Sequence, residues 1–214
     1  MQFADKKILI TGSGRGIGQA TARVFLERGA TVAINDITEA AVAASIKVLG
    51  GERLVVAPGD ISNVDGCAEI VASAVGRLGG LDILVNNAGV YREAAIEATS
   101  EAIWDLTFDI NLKGMFFITQ AAVPALRESG GVVVNLASEA GLLGNPMVAA
   151  YCASKAGVIG LTRALAMELA PNVRVTCVCP APVDTNLFDT VLESADDSKS
   201  YVEGLAAYTP LRRL

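Results

Sequence analysis

The chain contains no histidine. That absence removes Ser-His-Asp and Cys-His catalysis and every histidine-liganded metal site. An acid or base working near neutral pH is left to tyrosine, lysine, cysteine or a carboxylate with a shifted pKa. Cysteine is scarce, and Cys67, Cys152, Cys177 and Cys179 make no CxxC pair and no zinc-like spacing. They read as small buried hydrophobes, with Cys177 and Cys179 on one face of a strand. Basic residues are in deficit, with a net charge of −6. Nucleic acid and anionic membrane surfaces both call for a basic patch, so neither is an expected partner. No run reaches the roughly 18 uninterrupted apolar residues of a membrane span. The first residues lack the basic, apolar and small-residue segments of a secretory signal. The expected location is the cytoplasm.

What is present is a globular composition. Of 214 residues, 52% are hydrophobic and 19% charged, enough for one domain, 1–214, with a sizeable core. Strand-like and helix-like patterns alternate. Apolar strands are expected at 7–11, 31–35, 53–57, 82–85, 131–136 and 173–178. Helical spacing covers 17–28, 37–49, 64–78, about 100–127, and 150–169. The remainder from Asn186 is polar and loosely helical. Continuous apolar strands separated by helices predict an α/β fold. It is a doubly wound parallel sheet of Rossmann type, in three α/β/α layers.

The first strand runs into Gly12-Ser13-Gly14-Arg15-Gly16-Ile17-Gly18, and a helix follows. Glycines there allow a tight turn and bring backbone N–H groups close to a pyrophosphate, while the helix N-terminus adds a favourable positive end. Asp36 ends the second strand, 18 residues after Gly18. In a dinucleotide site a carboxylate at this place accepts hydrogen bonds from the adenosine ribose and repels a 2′-phosphate. Asp36 also suits a helix N-cap, a role open to Thr38 as well. Arg15 favours the 2′-phosphate, whereas Ile37 offers it no charge. The pair is read as favouring NAD over NADP.

Tyr151 and Lys155 stand at i and i+4 at the start of the long helix, on one face. Tyrosine has an ordinary pKa of about 10, and a nearby ammonium stabilises the phenolate. Ser138 ends the fifth strand, 13 residues before Tyr151. The carboxyl ends of strands are where open α/β sheets bind ligands.

Taken in order, Thr11 to Gly18, Asp60, Asn86-Asn87-Ala88-Gly89, Asn111, Ser138 and Tyr151 with Lys155 resemble the short-chain dehydrogenase/reductase family, over about Lys7 to Thr185. The resemblance implies an NAD(H)-dependent oxidoreductase that interconverts a secondary alcohol and a ketone. It implies Tyr151 as general acid/base, Lys155 as the residue that lowers its pKa and binds the nicotinamide ribose, Ser138 as the group orienting the substrate oxygen, and Asn111 as holder of a water in a proton relay. Asp60 and Ile61 would meet the adenine. Asn87, Ala88 and Gly89 would pass close to the cofactor, and Pro180, Val183 and Thr185 would meet its nicotinamide end. A homodimer or homotetramer through the helices at 100–127 and 150–169 is also implied.

Two features depart from the family pattern. Ala181 follows Pro180 where a glycine is usual, so the nicotinamide loop is expected to be reshaped. The family's last helix and seventh strand are expected to be missing after Leu214, leaving the sixth strand at an exposed edge. Val90, Tyr91, Glu139 to Met147 and Asn186 to Tyr208 are expected to line the substrate pocket. Within them, Leu142, Leu143, Met147, Leu187 and Phe188 suggest a partly apolar substrate. Two rivals stand beside this reading. One is an NADP-dependent 3-oxoacyl thioester reductase. The other is a catalytically impaired dinucleotide-binding relative.

Overall fold

Six strands form one sheet in the computed structural model, which describes residues 1–185, 187, 192 and 198–212. The strands are β1 (Lys7–Ile10), β2 (Thr31–Ile34), β3 (Leu54–Val56), β4 (Ile83–Asn86), β5 (Val132–Leu136) and β6 (Arg174–Val178). Their order across the sheet is β3-β2-β1-β4-β5-β6, and every pairing is parallel. The helices are α1 (Gly16–Glu27), α2 (Glu39–Leu49), α3 (Val64–Leu78), α4 (Glu101–Phe108), α5 (Met115–Ser129), α6 (Ala149–Leu169) and α7 (Ser198–Tyr208). This is the expected doubly wound sheet.

The apolar runs are explained by burial on both faces. Leu9 belongs to the apolar layer shared with α3 and α5, while Ile8 and Ile10 belong to the opposite layer with Ala22 of α1 and Val42 of α2. All three β1 side chains are fully buried, so the central strand tolerates no polar residue on either face. At the sheet's edge β6 behaves differently. Arg174, Thr176 and Val178 are exposed, while Val175 and Cys177 are half-buried. Cys177 and Cys179 both pack beside Met115, Ala137, Val158 and Ile159, as small apolar groups do.

Buried polar side chains cross the sheet between β4 and β5. The Asn86 amide donates to Thr119 Oγ1 at 2.8 Å and to Asn135 Oδ1 at 2.9 Å. The Asn135 amide donates to Thr162 Oγ1 at 2.9 Å. Both threonine hydroxyls donate to carbonyls of their own helices. This chain ties α5, β4, β5 and α6 together, since one broken link strands a buried polar group.

The helical stretch expected over 100–127 is not uniform. Its backbone widens into one π-helical turn, Asp109–Gly114, between α4 and α5. Such turns re-aim side chains within a helix, and the fully buried Asn111 lies on this one.

The sheet order reverses between β1 and β4. Loops leaving these strands diverge to opposite sides and open a crevice at the carboxyl edge.

Candidate active site

Two loops build one half of that crevice, and each holds the other. Thr11 Oγ1 accepts from the backbone N–H groups of Asn87 and Ala88, both at 3.1 Å. In return the Asn87 amide donates to the carbonyls of Thr11 and Gly12, at 2.9 and 2.8 Å. The contact is close enough to require glycine. A Cβ on Gly12, where φ is +60°, would stand 2.7 Å from Ala88 Cα. A Cβ on Gly18 would stand 2.5 Å from Asn87 Nδ2 and 2.6 Å from the Gly12 carbonyl oxygen. Ser13 is fully buried and donates to the Ile10 carbonyl at 2.8 Å, so it braces the loop from behind.

Gly12, Arg15, Gly16 and Ile17 line the crevice. No side chain caps the N-terminus of α1, so the helix presents its first N–H groups at the loop. Backbone donors at an uncapped helix end suit a phosphate.

Asp36 lies at the mouth of the same cavity. Its Oδ2 accepts from Gly14 N–H at 3.1 Å and its Oδ1 from Ile37 N–H at 2.8 Å. The cap of α2 is Thr38, whose Oγ1 accepts from Ala41 N–H at 3.1 Å. The carboxylate is therefore released from capping and held facing the glycine loop. Asn35, read only as part of a strand, is buried beside it and donates to the carbonyls of Ala57 and Gly59. That bond draws the Gly59-Asp60-Ile61 turn to the cavity, which all three residues line.

At the other end Tyr151, Lys155 and Ser138 are buried together. Burial raises the Tyr151 phenol above its ordinary pKa, the Ser138 hydroxyl opposes this by hydrogen bonding, and Cys152 and Glu139 push it further up. Lys155 Nζ donates to the Leu136 carbonyl at 2.8 Å and stands 5.7 Å from the Tyr151 ring centroid. Its own pKa is lowered to about 8 by burial. Desolvation is the largest influence on both groups.

Asn111 ties the loop at Val90 to α6. Its Oδ1 accepts from Val90 N–H at 2.8 Å, and its amide donates to the Val90 carbonyl at 3.0 Å and to Ser154 Oγ at 3.2 Å. Ser154 Oγ donates onward to the Tyr151 carbonyl at 2.8 Å. A Cβ on Gly89 would lie 3.2 Å from Asn111 Oδ1 and 3.6 Å from Lys155 Nζ. Gly89, Asn111 and Lys155 thus converge.

The cavity holds about 350 Å³ and runs from Asp36 and Asp60 to Tyr151 and Lys155. Asn87, Ala88, Gly89, Pro180, Val183 and Thr185 also line it. Of the residues singled out from sequence, Ser13, Gly14, Gly18 and Asn111 stand behind the lining rather than on it. The cavity's uncapped helix N-terminus, its glycine-lined floor and its carboxylates at one end fit a dinucleotide.

One expectation is corrected. Leu142, Leu143 and Met147 are 63%, 60% and 52% exposed and do not line the cavity. Ala181 lines it, and its backbone stays outside the left-handed region, which among the described non-glycine residues holds Asp5, Met147 and Arg212. Val90, Tyr91, Glu139, Leu187 and Leu205 line the cavity as expected. Asn186 and Phe188 lie outside the described residues. Serine 154 and Asn35 were missed. The first resembles a helix-face filler and the second a strand end, and only their long-range partners reveal them.

Comparison with known proteins agrees with this geometry. The family described as short chain dehydrogenase matches residues 6–196. The 3-oxoacyl-(acyl-carrier-protein) reductase of Thermotoga maritima is 39% identical, over 92% of this chain and 82% of that protein. The trans-4-hydroxycyclohexanecarboxylate dehydrogenase of Sinomonas cyclohexanicum is also 39% identical, over 86% of this chain and 74% of its own. The crystal structure of levodione reductase superposes with a TM-score of 0.91 at 30% identity, covering 99% of this chain and 85% of that one. The interlocked glycine and Asn-Ala-Gly loops, the buried tyrosine-lysine-serine cluster and the family match together place this chain in the short chain dehydrogenase family, among NAD(P)-dependent oxidoreductases acting on CH–OH groups.

Proposed function

We propose that the protein is an NAD(H)-dependent oxidoreductase interconverting a secondary alcohol and a ketone. The observation that carries this reading is the buried Tyr151 phenol, bonded to Ser138, with Lys155 beside it, at the end of a cavity whose other end is Asp36. A bound nicotinamide dinucleotide supplies the hydride donor or acceptor. Backbone N–H groups at the glycine loop and the start of α1 hold the pyrophosphate. Asp36 takes the adenosine ribose hydroxyls, and Asp60 and Ile61 flank the adenine. Lys155 binds the nicotinamide ribose. Pro180, Val183 and Thr185 bound the nicotinamide end.

Ser138 orients the substrate oxygen. Tyr151 gives that oxygen a proton in ketone reduction and takes it back in alcohol oxidation. Lys155 becomes charged below a pH of about 8 and then favours the phenolate electrostatically. Asn111 holds Val90 and Ser154 in place and stands where a water between it and Lys155 completes a proton path.

A second reading has its own support. The Thermotoga maritima relative is a 3-oxoacyl thioester reductase, which makes an NADPH-dependent reduction of such esters the competing activity. Separate titrations with NADH and NADPH decide the nucleotide. Initial rates with a panel of secondary alcohols, cyclohexanol among them, against acetoacetyl-CoA decide the substrate class. Preference for NADH with alcohol turnover supports the first reading. Preference for NADPH with acetoacetyl-CoA turnover replaces it with the second. Binding of neither nucleotide rejects both.

We also propose that copies of the chain associate through α4, α5 and α6. Trp104, stacked on Phe108 with centroids 4.5 Å apart, is 45% exposed there. An apolar groove lined by Phe108, Leu112, Phe116 and Leu161 continues that face. Sedimentation of Trp104→Glu as a smaller species than wild type is the expected result.

A further inference from the structure

A carboxylate just outside the cavity joins two segments that have no local reason to meet. Glu93 Oε1 accepts from the Tyr91 phenol at 2.7 Å and from the Tyr201 phenol at 2.6 Å. Tyr201 belongs to α7 and lies 108 residues away in sequence. Neither Glu93 nor Tyr201 lines the cavity, but each adjoins a residue that does. Tyr91 lines it, with its ring edge-to-face against the Tyr151 ring at 5.0 Å between centroids and 74° between planes. Leu205, one helical turn beyond Tyr201 on the same face, lines it too. The backbone of the Tyr91 loop is pinned nearby, where Ala94 N–H donates to the Met147 carbonyl at 2.7 Å.

We infer that Glu93 is a positioning residue: its carboxylate clasps Tyr91 and Tyr201, holding Tyr91 against Tyr151 and docking α7 so that Leu205 closes an apolar wall of the substrate pocket. This rests on the dehydrogenase reading of the site.

Three physical points support the clasp. Hydrogen bonds to an ionised acceptor are the strong ones, and two meet on one oxygen. Both phenols stay protonated donors through neutral and mildly alkaline pH. Burial first, then the bond to Glu93, raises Tyr91 above its ordinary value and Tyr201 to about 12. Finally, the polar bonds lie outside and the ring and the leucine face in, so the clasp shapes the pocket while adding no charge to it. The wall therefore selects a secondary alcohol that carries an apolar group beside its carbinol carbon.

Hydrogen exchange on the full chain tests this. Glu93→Ala removes the acceptor that the two phenols share and leaves only their contact with each other, and exchange at residues 90–95 and 198–208 then speeds up together, by about tenfold or more. Glu93→Gln still offers an accepting oxygen and restores slow exchange in both segments. Tyr201→Phe keeps the ring, deletes one hydroxyl and releases the same two segments. In all three variants exchange at residues 11–18 and the Kd for NADH stay at wild-type values. In oxidation of cyclohexanol, Tyr201→Phe raises KM about tenfold and leaves kcat within about twofold, because a wall is lost and not a proton donor. Release of one segment without the other would overturn the clasp. So would a fall in kcat at unchanged KM. A wild-type chain that binds no NADH and leaves cyclohexanol untouched would sink the dehydrogenase reading instead, and exchange alone would then decide the clasp.

Discussion

The two ends of the cavity are built in different ways. The end near Asp36 is made of short loops locked by backbone and small polar groups. Thr11, Ser13, Asn35 and Asn87 each make two or more hydrogen bonds within or between those loops. Gly12 and Gly18 there are packed too tightly to accept a Cβ. The end near Tyr91 is made of segments far apart in sequence, joined by side chains such as Glu93 and Tyr201, and bordered by exposed apolar residues such as Leu142 and Leu143. A rigid end suits a ligand shared across a family, whereas an end held by replaceable side chains can be re-cut for different substrates. The relatives share about the same fraction of sequence with this chain, yet their names cover an acyl thioester and a cyclic hydroxy acid.

Four changes probe that contrast. The largest effect is expected from Tyr151→Phe, which removes the proton and keeps the ring. Turnover should fall by about 10² to 10⁴, with NADH titration unchanged. Retained turnover would remove Tyr151 from the chemistry. Next is Asp36→Ala at the rigid end. It should shift the NADPH-to-NADH affinity ratio by about tenfold or more, since a repulsive charge leaves and a ribose acceptor is lost. An unchanged ratio would mean that another residue sets nucleotide choice.

Gly18→Ala comes third. Its Cβ has no room against Asn87 and Gly12, so thermal or urea unfolding should show about 1–3 kcal/mol of lost stability. A neutral result would show that the rigid end can relax after all. The smallest effect concerns pH. Lys155 has a folded pKa lowered to about 8 from 10.5, so above pH 8 the unfolded chain binds more protons there than the folded one. Stability should then rise with pH. Cys67, raised from 9.0 to about 11, works in the opposite sense, its contribution being lost as pH climbs from 9 towards 11. Between pH 8 and 9 the Lys155 gain is about 1 kcal/mol, and Cys67 and Cys179, both raised, offset part of it in the wild type and in the Lys155 variant alike. Urea titrations of wild type and Lys155→Met should differ by that slope, and equal slopes would assign the titration elsewhere.

Much of the rigid end was readable because its logic is local. A strand, a glycine turn and a helix follow one another, and Asp36 closes the next strand at the matching edge. The helical pairing of Tyr151 with Lys155 was equally visible. Its electrostatic consequence was not, because burial of the phenol and the turn of Nζ towards the Leu136 carbonyl depend on what packs around them. The exposure of Leu142, Leu143 and Met147 was likewise hidden, since hydrophobicity does not say which way a loop faces.

Composition and strand and helix periodicity determined the class of fold, and a few motifs in order carried the resemblance to the family. They do so because a parallel sheet brings consecutive strand ends to one edge whatever lies between them. Tertiary structure alone decided that Asn111 would grip Val90 and Ser154, that Thr38 and not Asp36 would cap α2, and that Glu93 would reach Tyr201. These are contacts between segments distant in the chain. Their geometry is set by the packing of whole layers, a property that no short stretch of sequence carries.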